Sequence, residues 1–505
     1  MKIKMRLQLH GKNILWVFLG VLFIFSFLLR IAFLKSNLFF GPEQGIDFLV
    51  IKGIVMFHKL TLIGAKTDVS GIFHGPIYYY ISAVPFFLSR GNPLFIAYFL
   101  IFINCISIFI IYLLGKEFIS KRAGIISAVL FTCSFTTVVY PRWLSTHPLA
   151  IPSSTLFFLF LIRFLKGSKW SLFLCAIFFG LLTQSEFLNI LFFSFIVISV
   201  VAIYFGKFRK QNILYLLFCL LTAAVFSFGS FLLFDIRHNF LITRSILSLV
   251  VGKSGYSVSY VGSLNSITHS FISFIGGLLL PQFSLGAFLI FIAAIIGLFV
   301  YGKSPGKEKS FVPLLFLWIF VPPLLLLVLH HQVLDQFYVS IIPAILLITG
   351  FLLDYIWTQS RISALALLIL LVGANLIFWT GNIPANSHIF FQSTQSNLHY
   401  SDEKKVIDAI YKEAAGTPFS IQSYTIPYWS QQGWEYLFWQ YGLPKYHSLP
   451  IAEKAPLLFV IVQDDLGNKG FQRQWLRQTV TKWGNEKKEF RFGALTVKEL
   501  VITGK

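Results

Sequence analysis

Eleven apolar runs, each about as long as a membrane-spanning helix, dominate this sequence. A helix needs roughly 20 mostly apolar residues to cross the hydrocarbon core of a bilayer. Of the 505 residues, 56% are hydrophobic and 12% are charged, and the charged fraction is about half that of a soluble domain. The sequence therefore predicts a polytopic, mainly α-helical membrane protein. The runs cover residues 13–34, 93–115, 124–142, 148–165, 170–186, 187–205, 212–234, 284–302, 311–330, 337–357 and 362–380.

Positive charge is distributed unevenly along the chain. The first 380 residues contain 27 basic and 9 acidic residues, whereas residues 381–505 contain 14 basic and 11 acidic residues. In a soluble protein this excess would suggest nucleic-acid binding. Here the basic residues lie between apolar runs, as the positive-inside rule and contact with anionic lipid headgroups require. We therefore expect membrane lipids as partners and no nucleic acid.

The same rule predicts the orientation in the plasma membrane. With a cytoplasmic N terminus, the apolar run 75–89 must stay on the outer face without crossing, and residues 35–92, 235–283 and 381–505 lie outside. The first run is read as an anchor, because it is too long for a signal peptide. The short inside loops are then all basic: Lys116–Arg122, Lys166–Lys169, Lys207–Lys210, Lys303–Lys309 and Arg361.

The sequences of the two long outer loops and of the tail, residues 381–505, predict further secondary structure. Residues 35–92 contain an amphipathic stretch and an aromatic run, which predict helices lying in the interface. Residues 235–283 end in an apolar stretch that is compatible with a re-entrant segment. We divide the chain into a membrane domain, residues 1–380, and a soluble extracytoplasmic α/β domain, residues 381–505.

The sequence of the tail predicts alternating helices and strands. Ser401–Ala415 reads as a helix with Ser401 as its N-cap. Its many aromatic residues fit either core packing or sugar stacking, with core packing the more common use. The remaining elements are three strands, Phe419–Tyr424, Leu457–Val462 and Ala494–Val501, and two helical segments, Gly433–Tyr441 and Gly470–Val480.

Two carboxylates open the first outer loop in the sequence Gly41-Pro42-Glu43-Gln44-Gly45-Ile46-Asp47. If a helix begins here, Glu43 and Asp47 share one face. One of them could act as a general base, or the pair could hold a divalent cation. The alternative is that both simply stabilise a helix start through its dipole.

Cationic and polar residues collect at the outer ends of other runs. Arginine suits bidentate contact with phosphate, so several of them could form a seat for a lipid-linked phosphate; anchoring at the membrane surface is the alternative. Gln184 and Glu186 could border the same cavity. The adjacent pair His330 and His331 is poorly spaced for one metal ion, and no metal ligand is assigned. The candidates for substrate binding are Arg142, His147, Asp235, Arg237, His238, Gln336 and Tyr338.

The order of five motifs resembles a known family: EQGID, HGPIYYY, PRWLSTHP, FDIRHNF and QFYVSIIP. The chain resembles prokaryotic relatives of the dolichyl-phosphate-mannose protein mannosyltransferases, which share glycosyltransferase family 39 with the lipid A aminoarabinose transferases. Many of these relatives have Asp where this chain has Glu43 and Arg where it has Ile46. The resemblance extends over most of residues 13–357.

The resemblance implies a GT-C fold and an inverting transfer of sugar on the outer face. The donor would be a polyprenyl-phosphate sugar, and the acceptor a protein, lipid or glycan hydroxyl. It further implies that the acidic motif supplies the base, with Glu43 preferred over Asp47, and that His74 and Tyr78 belong to the substrate site. No cofactor beyond a possible divalent cation is implied.

Other functions are compatible with the same charges. A transporter or flippase for lipid-linked glycans would favour charges in mid-membrane and repeated halves, neither of which is evident in the sequence. A surface-glycan polymerase or ligase would use the same donor chemistry. A non-catalytic assembly protein could bind a partner through its aromatic tail.

Overall fold

A computed structural model provides the structure of most of the chain. It describes residues 2–67, 69–250, 260–281, 285–303, 312–329, 334–383, 398–426, 428, 430–452, 455–483 and 485–502. Helices make up the membrane part, and a four-stranded sheet lies in the tail.

Each of the eleven apolar runs forms helix. Among the described residues, five continuous helical segments are long and apolar enough to cross a membrane, and a sixth such segment continues from α1 into α2. Their bounds are α1 (Lys2–Ile31), α2 (Leu34–Asn37), α5 (Pro93–Phe118), α8 (Ala150–Leu165, extended at its start by a 3-10 turn, His147–Leu149), α12 (Ile213–Arg237), α17 (Ile342–Gln359, preceded by a 3-10 helix, Asp335–Ile341) and α18 (Arg361–Asn382). The helices of the other runs are α6 (Lys121–Cys133), α7 (Phe135–Val139), α9 (Trp170–Ser185), α10 (Leu188–Ile203), α15 (Leu285–Lys303) and α16 (Val312–Leu329).

The third run is bent by 62° where α6 ends. Ser134 has an extended backbone at this point, and its hydroxyl donates to the carbonyl of Leu278 at 2.7 Å. The Phe135 amide donates to Asn375 Oδ1 at 2.8 Å. Because a backbone group in a membrane needs a partner within the protein, these side chains stabilise the break that brings Arg142 to the bundle end.

The first outer loop folds into two helices that flank the bundle. They are α3 (Pro42–Phe57) and α4 (Ile77–Ser89). Pro42 occupies the first helical position, where its missing amide costs nothing. The 13 residues of α4 extend only about 20 Å; that this run stays on the outer face without crossing remains a prediction. Between them, His74 donates to the carbonyl of Ala65 through its backbone amide at 2.8 Å.

The second outer loop is also largely helical where it is described. The described part of this loop contains α13 (Leu241–Val250) and α14 (Tyr260–Leu279). Ahead of the loop, the short helix α11 (Phe205–Arg209) lies between α10 and α12. The C-terminal half of α14 is buried in the main core with α15 and α16. A Cβ on Gly286 of α15 would lie 2.6 Å from the Gly276 carbonyl oxygen, so α14 and α15 meet backbone to backbone.

The tail contains the predicted strands together with one that the sequence did not indicate. Its elements are α19 (Tyr400–Ala414), β1 (Phe419–Tyr424), α20 (Gln432–Leu437), a π-helical turn (Phe438–Gly442), α21 (Leu443–Tyr446), β2 (Leu457–Gln463), α22 (Lys469–Trp483), β3 (Asn485–Phe492) and β4 (Leu495–Val501). The sheet order is β1-β2-β4-β3, and only the β1–β2 pair is parallel.

The N-cap predicted for the tail helix is wrong. His399, and not Ser401, is the N-cap of α19. The hydroxyl of Ser401 instead donates to the carbonyl of Ser36 at 3.0 Å, and the Tyr400 amide donates to the Leu38 carbonyl at 2.9 Å. Ser401 therefore helps to attach the tail to α2.

The tail and the first outer loop share one buried apolar cluster. Tyr436 of α20 lies 5.7 Å from Phe40 and 5.4 Å from Phe48, measured between ring centroids. Its hydroxyl donates to the carbonyl of Gly91. Most aromatic residues of the tail thus serve core packing; Trp429 lies outside the described residues. The division at residue 381 stays a prediction, since packing is continuous across these two parts.

Candidate functional site

The acidic motif occupies the first turns of α3, as the sequence predicts. Asp47 is only 7% exposed, and Tyr79 of α4 donates its hydroxyl to Asp47 Oδ1 at 2.6 Å. Burial raises the pKa of Asp47 from 3.8 to about 7, although the Tyr79 hydrogen bond opposes the shift; the charge of Glu43 adds to it. Glu43 itself is exposed in the same turn. The motif therefore pairs an accessible carboxylate with a buried one that ionises near neutral pH.

Gln44 orients the start of this helix. Its side-chain oxygen accepts from the Gly41 amide at 3.0 Å, and its side-chain nitrogen lies 3.5 Å from the Leu144 carbonyl. Leu144 also lies in the same buried cluster as Phe48 and Tyr79. The turn between the third and fourth runs is thus packed beside the acidic motif.

Gly45 allows the tail to contact the motif directly. A Cβ at Gly45 would lie 2.2 Å from Gly433 Cα and 2.7 Å from its nitrogen. Because both groups are backbone, neither can move aside like the end of a flexible side chain. The tail therefore covers one side of the acidic motif through α20.

Arg142 lies in that neighbouring turn with its side chain only 4% exposed. Its Nη1 donates to the carbonyls of Arg30 at 2.9 Å and Ala32 at 2.8 Å. In the described part of the chain, Nε and Nη2 of Arg142 are buried and have no hydrogen-bond partner. A buried guanidinium with unused donors is suited to an anion; the contact between Arg142 and a lipid-linked phosphate stays a prediction.

His74 and His147 meet at a third residue, Glu186. Nδ1 of His147 lies 3.2 Å from one oxygen of Glu186, and Nδ1 of His74 lies 3.9 Å from the other. The two imidazole rings are 5.2 Å apart, and Trp143 stacks on His147 at 4.9 Å. Burial lowers the pKa of His74 to about 4, against the raising effect of Glu186. His74 is therefore neutral at physiological pH.

The FDIRHNF motif divides into buried and exposed residues. Asp235 accepts hydrogen bonds from the Ile242 amide at 2.7 Å and from the Thr243 amide and hydroxyl at 3.0 and 2.6 Å. It therefore fixes the start of α13. Arg237 and His238 are exposed at the end of α12, where His238 stacks on Phe234. Their contact with a donor stays a prediction.

The remaining predicted residues are spread over two clusters. Tyr78 is buried in the cluster of the first outer loop and the tail. Tyr338 is buried in the main core, 5.5 Å from Phe271 and from Phe274, and Gln336 is half-buried beside it in the chain. The adjacent histidines His330 and His331 lie outside the described residues.

Sequence reasoning missed the roles of Tyr79 and Glu186. Tyr79 stands in the run of three tyrosines of the HGPIYYY motif, and nothing in that run distinguishes it from its neighbours. Glu186 was recognised only as a possible border of the cavity. Its isolation between two apolar helices was the usable signal, since a buried carboxylate needs partners.

Comparisons with solved structures identify the fold. ArnT, the lipid A aminoarabinose transferase, from Cupriavidus metallidurans bound to undecaprenyl phosphate is similar with a TM-score of 0.60 and 10% identity, over 96% of this chain and 98% of ArnT. Its apo state gives the same TM-score and identity, over 97% and 98%. An oligosaccharyltransferase from Archaeoglobus fulgidus gives a TM-score of 0.50 and 13% identity, over 88% of this chain and 67% of its own.

This chain therefore has the ArnT-like GT-C fold of membrane glycosyltransferases. The predicted fold class and the resemblance to lipid A aminoarabinose transferases are confirmed at this level, and the chain is an integral membrane protein. No protein-family model matches the sequence, and no curated protein matches it in sequence comparison.

Proposed function

We propose that this protein is an inverting glycosyltransferase that uses a polyprenyl-phosphate sugar as donor and an acceptor hydroxyl on the outer face of the membrane. The main support is the close packing of the acidic motif against the turn that carries Arg142 and His147, through Gln44, Leu144 and their shared apolar cluster. Acids that activate an acceptor and a cation that binds a phosphate are thus on adjacent segments. The bound undecaprenyl phosphate of the structurally similar ArnT supports the same class of donor.

Glu43 is the proposed general base. It is exposed at the start of α3, where an acceptor hydroxyl can reach it, whereas Asp47 is buried. The acceptor oxygen attacks the anomeric carbon while its proton passes to the Glu43 carboxylate. The bond between that carbon and the phosphate oxygen breaks on the opposite side, which inverts the configuration.

Arg142 is the proposed partner of the leaving phosphate. Negative charge grows on the phosphate as the bond breaks, and preorganised donors stabilise such charge most when they are shielded from water. The Nε and Nη2 groups of Arg142 are buried, while its Nη1 anchors it to the Arg30 and Ala32 carbonyls. Arg237 and His238 are exposed at the end of α12 and could contact the carrier from the membrane surface.

A transfer assay with labelled polyprenyl-phosphate sugars tests the proposal. Membranes containing the wild-type protein should move label to an acceptor, and Glu43→Gln should reduce the rate by roughly 10²–10⁴-fold, the range for loss of a general base. Glu117→Gln is the matched control, because Glu117 pairs with Arg163 and Lys166 at the end of α5 remote from the first loop. It should leave the rate unchanged.

The outcomes separate the competing functions. Full activity of both Glu43→Gln and Asp47→Asn would remove the proposed base. Movement of intact labelled lipid across the bilayer without transfer would indicate a transporter. Growth of the label into long glycans would identify a polymerase that uses the same donor chemistry.

A further inference from the structure

A buried cluster of three side chains lies beside the proposed transfer site. His74 precedes α4, His147 begins the turn before α8, and Glu186 lies between α9 and α10. Their exposed fractions are 6%, 5% and 4%. One ligand atom from each lies within 4.8 Å of the other two. Three distant segments of the chain therefore direct metal-binding groups at one point.

The polar atoms that face this point have few partners besides one another. In the described residues, Nδ1 of His74, Nδ1 of His147 and Oε2 of Glu186 are buried and make no hydrogen bond of ordinary geometry, although Nδ1 of His147 lies within ion-pair distance, 3.2 Å, of that Glu186 oxygen. Leaving such groups unpaired in an interior is unfavourable. Direct pairing accounts for only part of the geometry, because His74 is 3.9 Å from Glu186, beyond hydrogen-bond range.

The surrounding structure fixes the three segments against each other. The Gly75 amide donates to the Gln184 carbonyl at 3.1 Å, and a Cβ on Gly75 would lie 2.4 Å from Gln184 Oε1. This contact holds His74 against the segment that carries Glu186. On the other side, Trp143 stacks on the His147 ring. These contacts hold the three segments together around the converging ligand atoms.

We propose that His74, His147 and Glu186 bind one Zn²⁺-type divalent cation. Two imidazole nitrogens and one carboxylate form a donor set that zinc prefers and that magnesium and calcium, which favour oxygen ligands, do not. Ligand atoms around tetrahedral zinc are about 3.4 Å apart, so small side-chain rotations close the present spacing. Three protein ligands leave a fourth position for water or another oxygen ligand.

Such an ion would join the first outer loop to the bundle. His74 is followed closely by Tyr79, which donates to Asp47, so the ion would position α4 and through it the acidic motif. This inference stands apart from the proposed base and phosphate partner, Glu43 and Arg142. It does give His74 and His147, which the sequence predicts at the substrate site, a role as metal ligands.

Metal content of the full-length protein, purified in detergent without a polyhistidine tag, tests the site. After removal of metal with a chelator, addition of ZnCl₂ and desalting, the wild-type protein should retain about one zinc ion per chain. His147→Gln and Glu186→Gln should each retain below about one fifth of that amount. The control His58→Asn changes an exposed histidine of the same loop and should retain zinc like the wild type.

Cobalt substitution tests ligation by His147 directly, so that loss of zinc from a misfolded variant cannot be mistaken for loss of a ligand. Co²⁺ in the wild-type site should give the strong visible absorption of a tetrahedral complex, and His147→Cys should add a thiolate-to-metal band. Absence of zinc from monodisperse wild-type protein, equal zinc retention by the Gln variants, or a His147→Cys spectrum without the thiolate band would each overturn the proposal. If wild-type protein that fails to retain zinc still transfers labelled sugar, the proposed function stands while the metal site fails.

Discussion

Charged side chains at the two ends of the helical bundle differ in how they are paired. At the end where α5 meets α6, Glu117 lies 3.0 Å from Arg163 and 3.5 Å from Lys166, and Asp354 lies 2.9 Å from Arg122. The cations of these pairs are about one third to one half exposed. Water and the partner together satisfy such groups, and each pair contributes little to stability.

The end that carries the acidic motif is built in the opposite way. Asp47, Arg142, His74, His147 and Glu186 are all buried, and several of their polar atoms have no hydrogen-bond partner among the described residues. Perturbed, incompletely paired groups of this kind cluster at functional sites. The difference is that one end pairs its charges with each other and with water, whereas the other keeps buried polar atoms that can bind a ligand.

The two ends of the bundle should differ most in how the free energy of unfolding changes when a carboxylate is replaced by an amide. The pKa of Asp47 is raised to about 7 in the folded protein. The folded state therefore binds the Asp47 proton more tightly than the unfolded state does. This contribution to stability is present below the unfolded pKa and is lost as the pH rises through about 7. At pH 8, Asp47→Asn should therefore stabilise the protein by up to about 4 kcal/mol, measured by thermal unfolding in detergent.

Asp354→Asn is the matched change at the other end. It removes the partner of Arg122 and of the Ser120 hydroxyl and should lower stability by no more than about 1 kcal/mol at pH 8. The comparison fails if both variants change stability in the same direction, or if the gain from Asp47→Asn is as large at pH 4 as at pH 8.

Packing beside the acidic motif gives the next largest effect. Gly45→Ala should destabilise the protein by about 3 kcal/mol, because the new methyl group would meet the Gly433 backbone. Gly53→Ala lies in the same helix, where a Cβ would meet only the Lys59 Cβ at 3.9 Å, and should be neutral or slightly stabilising. Thermal unfolding and protease sensitivity of the tail measure both; equal effects would contradict the tight contact.

The same arginine replacement should act differently at the two ends. Arg142→Lys keeps the charge but loses the planar fork of donors, and we expect kcat/KM for the donor to fall by roughly 10–100-fold. Arg163→Lys, at the exposed pair with Glu117, should change it by less than about twofold. Steady-state transfer kinetics with varied donor concentration distinguish the two, and equal losses would show that Arg142 has no special role.

The smallest effect belongs to the exposed pairs themselves. Glu117→Gln should cost less than about 1 kcal/mol of stability, and the difference should shrink further at 1 M salt, where surface charges are screened. If Glu117→Gln lowered stability by several kcal/mol, its ion pairs would be buried in the membrane-embedded protein. The two ends would then not differ in the way described here.

Local patterns in the sequence predicted most of the helices and strands, but not where these pack against one another. The start of α3 follows from Gly41-Pro42, and the apolar runs predict the helices because each must bury its own backbone bonds. Strand β3 was missed because its sequence, Asn485–Phe492, is mostly charged and its residues are exposed at the sheet edge. The N-cap at Ser401 failed because a tertiary contact with Ser36 takes its hydroxyl.

Predicting the site was harder because it depends on long-range packing. Glu43, Asp47, Arg142 and His147 could be selected as isolated charges near span ends. Nothing local indicated that Glu186 would meet two histidines. Likewise, one residue of the FDIRHNF motif, Asp235, fixes a helix start while its neighbours are exposed, a division that depends on α13.

The contact between Gly45 and Gly433 has a consequence for how the protein is made. Gly45 leaves the ribosome early, whereas its partner is near the end of the chain, and at 5–20 residues per second the interval is on the order of 20–80 s. During that time the acidic motif lacks the covering surface that the tail supplies. The segment that carries the acidic motif therefore reaches its final arrangement only after nearly the whole chain has been synthesised.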